Sequence, residues 1–389
     1  MSNRSLASMK FATPLIMIAD RGYQQDFDNG TYQSGDTVNI RYTNFARVQY
    51  GNVMQPQPIQ ETSIPLIIQD IMGGNIALDT AEAALFVTKE TELYHQRYID
   101  PIIVSMCADI ETQMMLKGIS ETNYFVGSPT SSFSSFTQVN LINARMAELG
   151  MPQWGNVSLV LSPEDMAYLQ SDNQNAFNNT LNDDISFYSR LGKFARFNLY
   201  RSSLNAIHTA GSGAGTPQVN GEFTQGKIMN LKGFAANEPN VINAGDTLLF
   251  GNRTDSTGIF SLNFITKKST AQLMPITVGP GPDNGNYDSD ASGNVSINIA
   301  APYIGLIADP SGNNTRRNID KTIADGTPVT IVGAGKQYKV GYAITARGLA
   351  LVVPKLPRLD TVTSLSAVPP PGDNSNISVR ICRQADINN

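Results

Sequence analysis

The stretch from Thr88 to Gly118 carries the strongest helical signal in the chain and constrains its architecture most. Apolar residues recur there every three or four positions, which is the spacing of one face of an α-helix. The residues of this stripe are Ile99, Ile103, Met106, Ile110 and Met114. About thirty residues at ~1.5 Å each give a length of roughly 45 Å. We therefore predict one long amphipathic strut, capped by Thr88, bent near Tyr98 to Asp100 by Pro101, and stopped at Gly118.

Composition narrows the class of protein. The chain has 389 residues, which is long enough for several domains that each bury a core. Charged residues make up only 16% of it, and the formal net charge is −5. Because nucleic-acid-binding domains concentrate Lys and Arg to neutralise phosphate, this balance argues against such a domain. Low charge together with many Asn, Gln, Ser and Thr residues predicts surfaces that end up against other protein.

The two cysteines and the apolar runs bear on the compartment. Cys107 and Cys382 lie far apart in the sequence, which argues against a disulfide scaffold and for a reducing environment. No apolar run approaches the ~20 residues of a membrane span, and the N-terminal stretch lacks the features of a secretory signal. We expect a protein that is soluble, or is made soluble by assembly.

The region before the helix indicates an arm and a projecting hairpin. Residues 1–32 open weakly helical and become polar, which is typical of an arm that becomes ordered on a neighbour. The run GDTVNIRY (35–42) predicts a strand with Val38, Ile40 and Tyr42 on its inward side. The segment from Thr43 to Glu61 is rich in Gly, Pro, Gln and Asn, and it predicts an extended loop with little core of its own.

The region after the helix indicates an α/β layer followed by a β-rich excursion. Residues 137–149 predict a helix, 157–162 a strand, and Ser162 with Pro163 and Asp165 the capped start of another helix. Residues 211–226 predict a flexible Gly-rich joint. Six candidate strands with the spacing of a small antiparallel barrel or sandwich follow: KIMNLKGF, DTLLFG, IFSLNFIT, AQLMPITV, NVSINIA and TPVTIVG. Residues 338–356 then predict strand, short helix and strand, and 377–383 a closing strand.

Motifs that invite a chemical function are weak. VGAGKQ (332–337) has Thr330 and Gln337 where a phosphate-binding loop needs Gly and Ser or Thr, so it indicates a strand-to-strand turn. DSDASGN resembles a calcium loop, but its twelfth position is Ile299 instead of Glu, which favours a solvated turn. The histidines, His95 and His208, have no Cys, Asp or Glu at ligand spacing. We therefore expect no enzyme, no cofactor and no metal; His95 is interpreted as an exposed or interface residue and His208 as a hydrogen-bonded hinge residue.

The order of elements carries a resemblance to a known family. Residues 63–114, with Pro101 inside the helix and the pair Ile110 and Glu111 after it, look like the central segment of the major capsid proteins of tailed phages, of the short-tailed Salmonella phage (P-twenty-two) coat type. Further positions that match the pattern of that family are Gly150, Pro152, Ser162, Pro163 and Asp165, then Gly192, Phe197, Tyr200, His208 and Thr209, and the run 244–251. The second Gly of the family's pattern before Phe197 is Ala195 or Arg196 here, so the turn there is expected to differ.

The resemblance implies an α+β chain of the Hong Kong 97-type capsid fold, with a long spine helix, an axial α/β domain, a peripheral domain, an extended loop and an inserted antiparallel β-barrel-like domain. The implied segments are an N-terminal arm (1–34), a strand with the extended loop (35–62), a peripheral domain with the spine helix (63–135), an axial domain (136–211 and 336–376), an inserted β domain (212–335) and a C-terminal strand of the peripheral domain (377–389).

The function that the resemblance implies is structural. Such a chain assembles with itself, as pentamers and hexamers, into an icosahedral shell around double-stranded DNA, with scaffolding, portal and decoration proteins as further partners. It is made in the host bacterial cytoplasm and ends in the virion capsid, without a membrane. The assembly-interface candidates are Tyr50, Met54, Gln55, Gln57, Gln60, His95, Arg97 and Asp288. The alternative left open by the Asn- and Gly-rich β region is a secreted adhesin or carbohydrate-binding protein.

Overall fold

A computed structural model describes the chain at residues 13–22, 37–43, 61–68, 100–129, 133, 135–151, 157–173, 193–282, 285–299, 306–308, 316–345, 348–353, 363–367 and 379–383. Several predictions lie outside these ranges: the helix from Thr88 to Ile99 with its cap and the approach to its bend, the loop 44–60, and most assembly-interface candidates. The candidates concerned are Tyr50, Met54, Gln55, Gln57, Gln60, His95 and Arg97.

The described elements form a mixed α/β chain with several small sheets. In chain order they are α1 Pro14–Ile18, β1 Thr37–Thr43, β2 Glu61–Ile67, α2 Asp100–Glu121, α3 Phe136–Glu148, β3 Val157–Leu161, α4 Pro163–Asn173, β4 Lys193–Phe194, β5 Phe197–Arg201, β6 Ile207–Thr209, β7 Gly215–Val219, β8 Gln225–Gly226, β9 Ile228–Phe234, β10 Ile242–Asn243, β11 Thr247–Phe250, β12 Phe260–Leu262, β13 Ser269–Leu273, β14 Pro275–Thr277, β15 Asn286–Tyr287, β16 Val295–Asn298, β17 Leu306–Ile307, β18 Val329–Ile331, β19 Gln337–Lys339, β20 Tyr342–Thr345, β21 Thr363–Ala367 and β22 Val379–Arg383.

The N-terminal segment is packed, which corrects the prediction of a loose arm for residues 13–20. Pro14 occupies the first turn of α1, where its missing N–H costs nothing. Leu15 and Ile16 are buried in the same hydrophobic cluster as Ile103 and Cys107 of α2. The arm prediction was wrong here because the apolar run PLIMI finds a surface within its own chain.

The strand pair β1 and β2 confirms the alternation read from the sequence. Ile40 is buried, Val38 is half-buried, and Thr37, Asn39 and Arg41 are exposed. The strands are antiparallel, and Thr43 pairs with Glu61 at one end of the ladder. The segment 44–60 therefore leaves and re-enters the described chain at neighbouring points.

Helix α2 carries the predicted stripe. Ile103 and Met114 are buried, and Met106 and Ile110 are half-buried. The sequence predicted that the helix stops at Gly118, but the helix continues to Glu121. A Cβ at Gly118 would lie 2.6 Å from a ring carbon of Tyr342. Gly118 is therefore the place where the helix backbone approaches a tyrosine ring, and the sequence cannot distinguish this use of glycine from a helix stop.

The α/β layer agrees with the sequence closely. Helix α3 begins at a capping box, in which the Ser135 hydroxyl accepts from the Thr137 N–H and Gln138 bonds back to the Ser135 N–H. The Ser162 hydroxyl accepts from the Asp165 N–H at the start of α4. The four-stranded sheet has the order β20, β3, β5, β4, and β3 and β5 are parallel. The turn between β4 and β5 places Ala195 and Arg196 at φ 45° and 78°, the left-handed conformation that glycine adopts more easily.

Six antiparallel strands of the β-rich region form a ring. The ladders join β7 to β9, β9 to β16, β14 to β11 and β11 to β18. Two single bridges complete the circuit: Gln218 with Pro328 joins β7 to the start of β18, and Val278 with Ile299 joins the end of β14 to that of β16. The enclosed core is one cluster of buried side chains that includes Met229, Leu231, Leu248, Phe250, Ile276, Val295, Ile297 and Ile331.

Each of the six candidate strands contains a strand, and AQLMPITV contains two, separated at Met274. The flexible joint predicted for residues 211–226 is wrong, because β7 and β8 lie within it. A Cβ at Gly215 would lie 2.4 Å from the carbonyl oxygen of Gly233 on the paired strand. Glycine serves close backbone approach there and not flexibility.

The return segment also differs from the prediction. Residues 337–345 form β19 and β20, and residues 348–353 contain no helix, so the predicted short helix is absent from these ranges. Gly348 closes a turn by donating to the Thr345 carbonyl at 2.9 Å, and Ala350 forms a parallel bridge with Asp20. The closing strand is confirmed as β22, which pairs with β21 and brings Ile381 opposite Leu365.

Residues 212–335 expressed alone are predicted to fold as a monomeric β domain, because their core cluster is almost entirely internal and their ends meet. Gly335 N–H donates to the Gly211 carbonyl at 2.8 Å. Circular dichroism and the dispersion of amide resonances in NMR spectra show whether the isolated fragment is folded. Phe250→Ala should lower the free energy of unfolding of the fragment by about 3 to 5 kcal/mol, whereas Ile228→Ala, at a side chain 63% exposed, should change it little. A random-coil spectrum of the unmodified fragment would contradict the boundary.

Candidate functional site: the junction of the helical layer and the β-rich region

The chain enters and leaves the β-rich region through one pair of strands. β6 and β19 are antiparallel, with His208 opposite Tyr338. Ala210 N–H donates to the Lys336 carbonyl at 3.0 Å, so the two connections run side by side. We call this pair the stem. Any force or motion that passes along the chain between the two regions passes through it.

A buried carboxylate fixes the stem to the turn between β10 and β11. Asp246 is fully buried and His208 is 7% exposed, and the Asp246 Oδ1 lies 2.8 Å from the His208 Nε2. The Asp246 Oδ2 accepts from the Gly211 N–H at 3.0 Å and from the Asn243 N–H at 2.7 Å. The interpretation of His208 as a hydrogen-bonded residue is confirmed, whereas its role as a hinge stays a prediction. The carboxylate uses both oxygens to join the end of β6 to the turn between β10 and β11.

Tyr338 covers the same group from the other stem strand. Its ring meets the His208 ring edge-on, with centroids 5.4 Å apart. Burial, and secondly the nearby charge of Asp246, raise the pKa of Tyr338 to about 12. The phenol therefore stays neutral at physiological pH. The pair of His208 and Asp246 is thus covered by an uncharged aromatic ring.

A second attachment joins Arg145 of α3, and Tyr124 just after α2, to the hairpin of β12 and β13. The Arg145 guanidinium lies 5.7 Å from the centroid of the Tyr124 ring and donates to the Ser261 hydroxyl and the Leu273 carbonyl, each at 3.3 Å. Burial raises the pKa of Tyr124 to about 12, although the charge of Arg145 acts in the opposite direction. A cation over an aromatic face in a dry contact is stabilising. Arg145 thus links the segment after α2 to the hairpin of β12 and β13, which is distant in sequence.

Backbone carbonyl groups at the C-terminal ends of α2 and α3 also accept hydrogen bonds from the β-rich region. The Thr277 hydroxyl donates to the Thr122 carbonyl at 2.6 Å, and the Thr277 N–H donates to the Asn123 side chain at 3.0 Å. The Asn263 amide donates to the Glu148 carbonyl at 2.7 Å. Helix ends carry carbonyl groups without an intrahelical partner, and the β-rich region supplies the donors for them.

Asp288, the interface candidate that the structure describes, lies away from this junction. It is exposed, and its Oδ1 accepts from the Asn240 N–H at 2.7 Å. It borders an open groove of about 440 Å³ with Asn220, Asn230 and Asp290 among its lining residues. The Asp290 carboxylate bonds to the N–H groups of Ser292 and Asn294, each at 2.7 Å, which makes DSDASGN a self-bonded turn. Asp288 is thus placed at the surface, and among the predicted site residues that the structure describes none is brought together with it.

Metal-ligand clusters and membrane-spanning helices are both absent from the described ranges. Within the described ranges, no three His, Cys, Asp or Glu side chains come close enough to hold a metal ion. No helix of those ranges is both long and apolar enough to cross a bilayer. The junction is an arrangement of hydrogen bonds, buried at His208 and part-buried at Arg145 and Thr277, that attaches the helical layer to the β-rich region.

Sequence reasoning missed Asp246, Arg145 and Tyr124. Asp246 is 38 positions from His208, and Arg145 is 116 positions from Ser261, so no local spacing relates them. The one available signal is the AGDT run, in which a Gly-Asp pair stands directly before an apolar strand. It predicts a turn but gives no information about the partner of the carboxylate.

Comparisons with known proteins give weak similarities. No protein-family model matches the chain, and no curated protein matches it. Among solved structures, one described as Mycobacterium phage Che8 is similar with a TM-score of 0.39 and 12% identity, over 82% of this chain and 90% of that one. A second, described as the capsid structure of the cyanophage P-SCSP1u, has a TM-score of 0.33 and 10% identity, over 84% and 87%. At this low level, the chain is similar to structures from two phages, one of them a capsid.

Proposed function

We propose that this chain is the major capsid protein of a tailed phage and that copies of it build an icosahedral shell around double-stranded DNA. The observation that carries the proposal is the path of the chain: it leaves an α/β layer beside a long helix at β6, forms a ring of six strands, and returns at β19. This path agrees with the inserted domain that the sequence resemblance implies. The stem and the internal core cluster support treating residues 212–335 as that domain.

The Hong Kong 97-type fold is part of the same proposal. Helix α2 is its spine helix, the sheet β20, β3, β5, β4 with α3 and α4 is its axial domain, and the β1 and β2 pair is the base of its extended loop. The interface residues Tyr50, Met54, Gln55 and Gln57 belong to that loop, with Gln60, His95, Arg97 and Asp288 as further contacts. A shell subunit needs no catalytic group, and we propose that the chain is not an enzyme.

The partners proposed are copies of the chain in pentamers and hexamers, together with scaffolding, portal and decoration proteins. The acidic net charge of −5 agrees with a container for DNA that does not grip it by sequence. The low share of charged residues agrees with extensive contact between subunits. Its place is then the virion capsid, after synthesis in the bacterial cytoplasm.

Assembly tests the proposal directly. The full chain, expressed in bacteria alone and with its neighbouring genes, should give shells, sheets or tubes in negative-stain microscopy and fast-sedimenting material. A variant in which residues 45–59 are replaced by a short Gly-Ser turn should keep its helical circular dichroism, because Thr43 and Glu61 already pair, but should not assemble. Uniform monomers of 42.1 kDa from both expressions would contradict the capsid function, and assembly of the shortened chain would contradict the role of the loop.

A further inference from the structure

A positively charged corner lies where the hairpin of β12 and β13 meets the segment 316–320. The segment runs beside β12, because Ser261 and Ile319 form an antiparallel bridge. This pairing brings Arg317 next to the turn of the hairpin, which carries Lys267. The two cations are 50 positions apart in the sequence, so it is the fold that places them together.

The turn of the hairpin is fixed by its own hydrogen bonds. The Asn263 side-chain oxygen accepts from the N–H groups of Ile265 and Thr266, each at 2.9 Å. The Asn263 N–H donates to the Lys268 carbonyl, and the Lys267 N–H donates to the Asn263 carbonyl, each at 2.9 Å. Lys267 adopts the left-handed conformation inside this turn, with φ 56°. The backbone therefore holds Lys267 and Lys268 in place without a ligand.

Lys267 and Arg317 donate to each other's backbone and not to carboxylates. The Lys267 Nζ donates to the Arg317 carbonyl at 3.4 Å, and the Arg317 Nη2 donates to the Lys267 carbonyl at 2.9 Å. Burial, and secondly the charge of Arg317, lower the pKa of Lys267. The two positive charges are thus close enough to repel each other, and among the described residues neither forms an ion pair with an acid. An anion that contacts both charges would offset this repulsion.

The charges around this pair are mostly positive. Two acidic side chains on neighbouring elements have other partners: the Glu148 Oε2 lies 3.8 Å from the Arg145 Nη1, and the Asp320 Oδ1 accepts a backbone N–H of β12 at 2.8 Å. Lys268 is exposed on the same turn, and Arg316 is half-buried on the neighbouring segment. We call the four cations of the turn and the segment the basic corner: Lys267, Lys268, Arg316 and Arg317.

We propose that the basic corner binds the phosphate backbone of nucleic acid, independently of base sequence. Guanidinium and ammonium groups together are the side chains that proteins use most to bind phosphate oxygens. A contact to the backbone alone carries no sequence information. A net charge of −5 argues against a domain dedicated to nucleic acid, but a phosphate contact needs only a local group of cations. The proposal does not rest on the capsid function.

The arrangement of the cations favours a long polyanion over a small ion or a lone carboxylate. A single carboxylate would bring one negative charge to four cations, whereas successive phosphates of a strand bring several in a row. The cations also belong to two separate segments, and Lys268 is exposed at the tip of the hairpin. An extended ligand can contact both segments at once, which a small ion held at one point does not.

The number of phosphate contacts sets the salt dependence of binding. Each neutralised phosphate adds about −0.9 to the slope of log K against log salt, so three or four contacts give roughly −3 to −4. Anisotropy of a short fluorescent DNA duplex of mixed sequence, titrated with the full chain between about 20 and 200 mM salt, measures this slope. Sedimentation checks that the assembly state is the same in every sample. Absence of binding at the lowest salt would overturn the proposal.

Lys268→Ala tests the corner without disturbing the turn, because the Lys268 side chain is exposed and has no hydrogen bond or ion pair among the described residues. It should weaken duplex binding roughly tenfold at low salt and make the slope less steep by about 1. Lys227→Ala is the matched control, since Lys227 is also exposed but lies between β8 and β9. The control should bind the duplex as the parent does. Equal weakening by both substitutions would overturn the assignment to this corner.

Amide resonances of the unsubstituted chain locate the contact independently of any variant. Those of Lys267, Lys268 and Arg317 should shift when the duplex is added, whereas that of Lys227 should not. Shifts confined to other parts of the chain would overturn the proposal.

Two competitors identify the class of anion. Polyglutamate and pyrophosphate should each displace the fluorescent duplex less well than unlabelled duplex does. Equal displacement by polyglutamate would mean that the partner is an acidic protein, and equal displacement by pyrophosphate that it is a free phosphate compound; either result would overturn nucleic acid as the ligand. The assembly experiment is separate, so this proposal and the capsid function can fail independently.

Discussion

An Ile103→Asp chain will fail to accumulate as folded protein. Ile103 is 3% exposed and packs in the cluster that joins α1, α2 and the four-stranded sheet. A carboxylate there would be buried without a partner, which lowers the free energy of unfolding by about 4 kcal/mol or more. Soluble yield, and the midpoint of thermal melting followed by circular dichroism at 222 nm, measure the effect.

The adjacent residue provides the matched control. Val104 lies on the same helix but is 39% exposed, so a carboxylate there keeps its contact with water. Val104→Asp should change the free energy of unfolding by less than about 1 kcal/mol. If the two variants are equally stable, the buried stripe of α2 has been assigned to the wrong face.

Asp246→Ala will loosen the stem. The substitution removes the acceptor for His208, Gly211 and Asn243 together, in a place that water does not reach. Each buried donor left without a partner costs about 1 to 3 kcal/mol, so the total should be about 3 kcal/mol or more. We expect a lower melting temperature, and faster amide exchange at Gly211 and Asn243 than in the unsubstituted chain.

Two further variants separate this effect from a general loss of charge. Asp288→Ala also removes a carboxylate that accepts an N–H, but Asp288 is exposed, so water replaces it at a cost of less than about 1 kcal/mol. Asp246→Asn keeps one acceptor oxygen, so its free energy of unfolding should lie between those of Asp246→Ala and Asp288→Ala. Equal stability of Asp246→Ala and Asp288→Ala would show that the buried pair does not hold the stem.

The parts of the fold that the sequence predicted well are those with local causes. The predicted cap at Ser162 involves residues three apart, and the alternation in β1 or β9 is a property of each strand alone. Such signals are complete within about ten residues of sequence. They gave the helices and strands of the α/β layer and the six candidate strands of the β-rich region.

The predictions that failed depended on partners distant in sequence. Gly118 looks like a helix stop until Tyr342 is beside it, and Gly215 looks like part of a joint until the carbonyl group of Gly233, on the paired strand, is beside it. The same holds for the junction, where Asp246 and Arg145 gain their roles only from the groups that the fold brings to them. For the extended-loop residues, Tyr50 to Gln60, the sequence-based interpretation stays a prediction.

The side-by-side ends at the stem bear on how such a chain could gain or lose its β-rich region. Ala210 and Lys336 are joined by a backbone hydrogen bond, so the gap left by excising what lies between them could be closed by a single tight turn. A gene could therefore acquire or discard the whole module in one recombination event without moving the flanking strands. The contacts of Tyr124 and Arg145 with the β-rich region would have to arise afterwards, as the surface of the helical layer adapts to the inserted module.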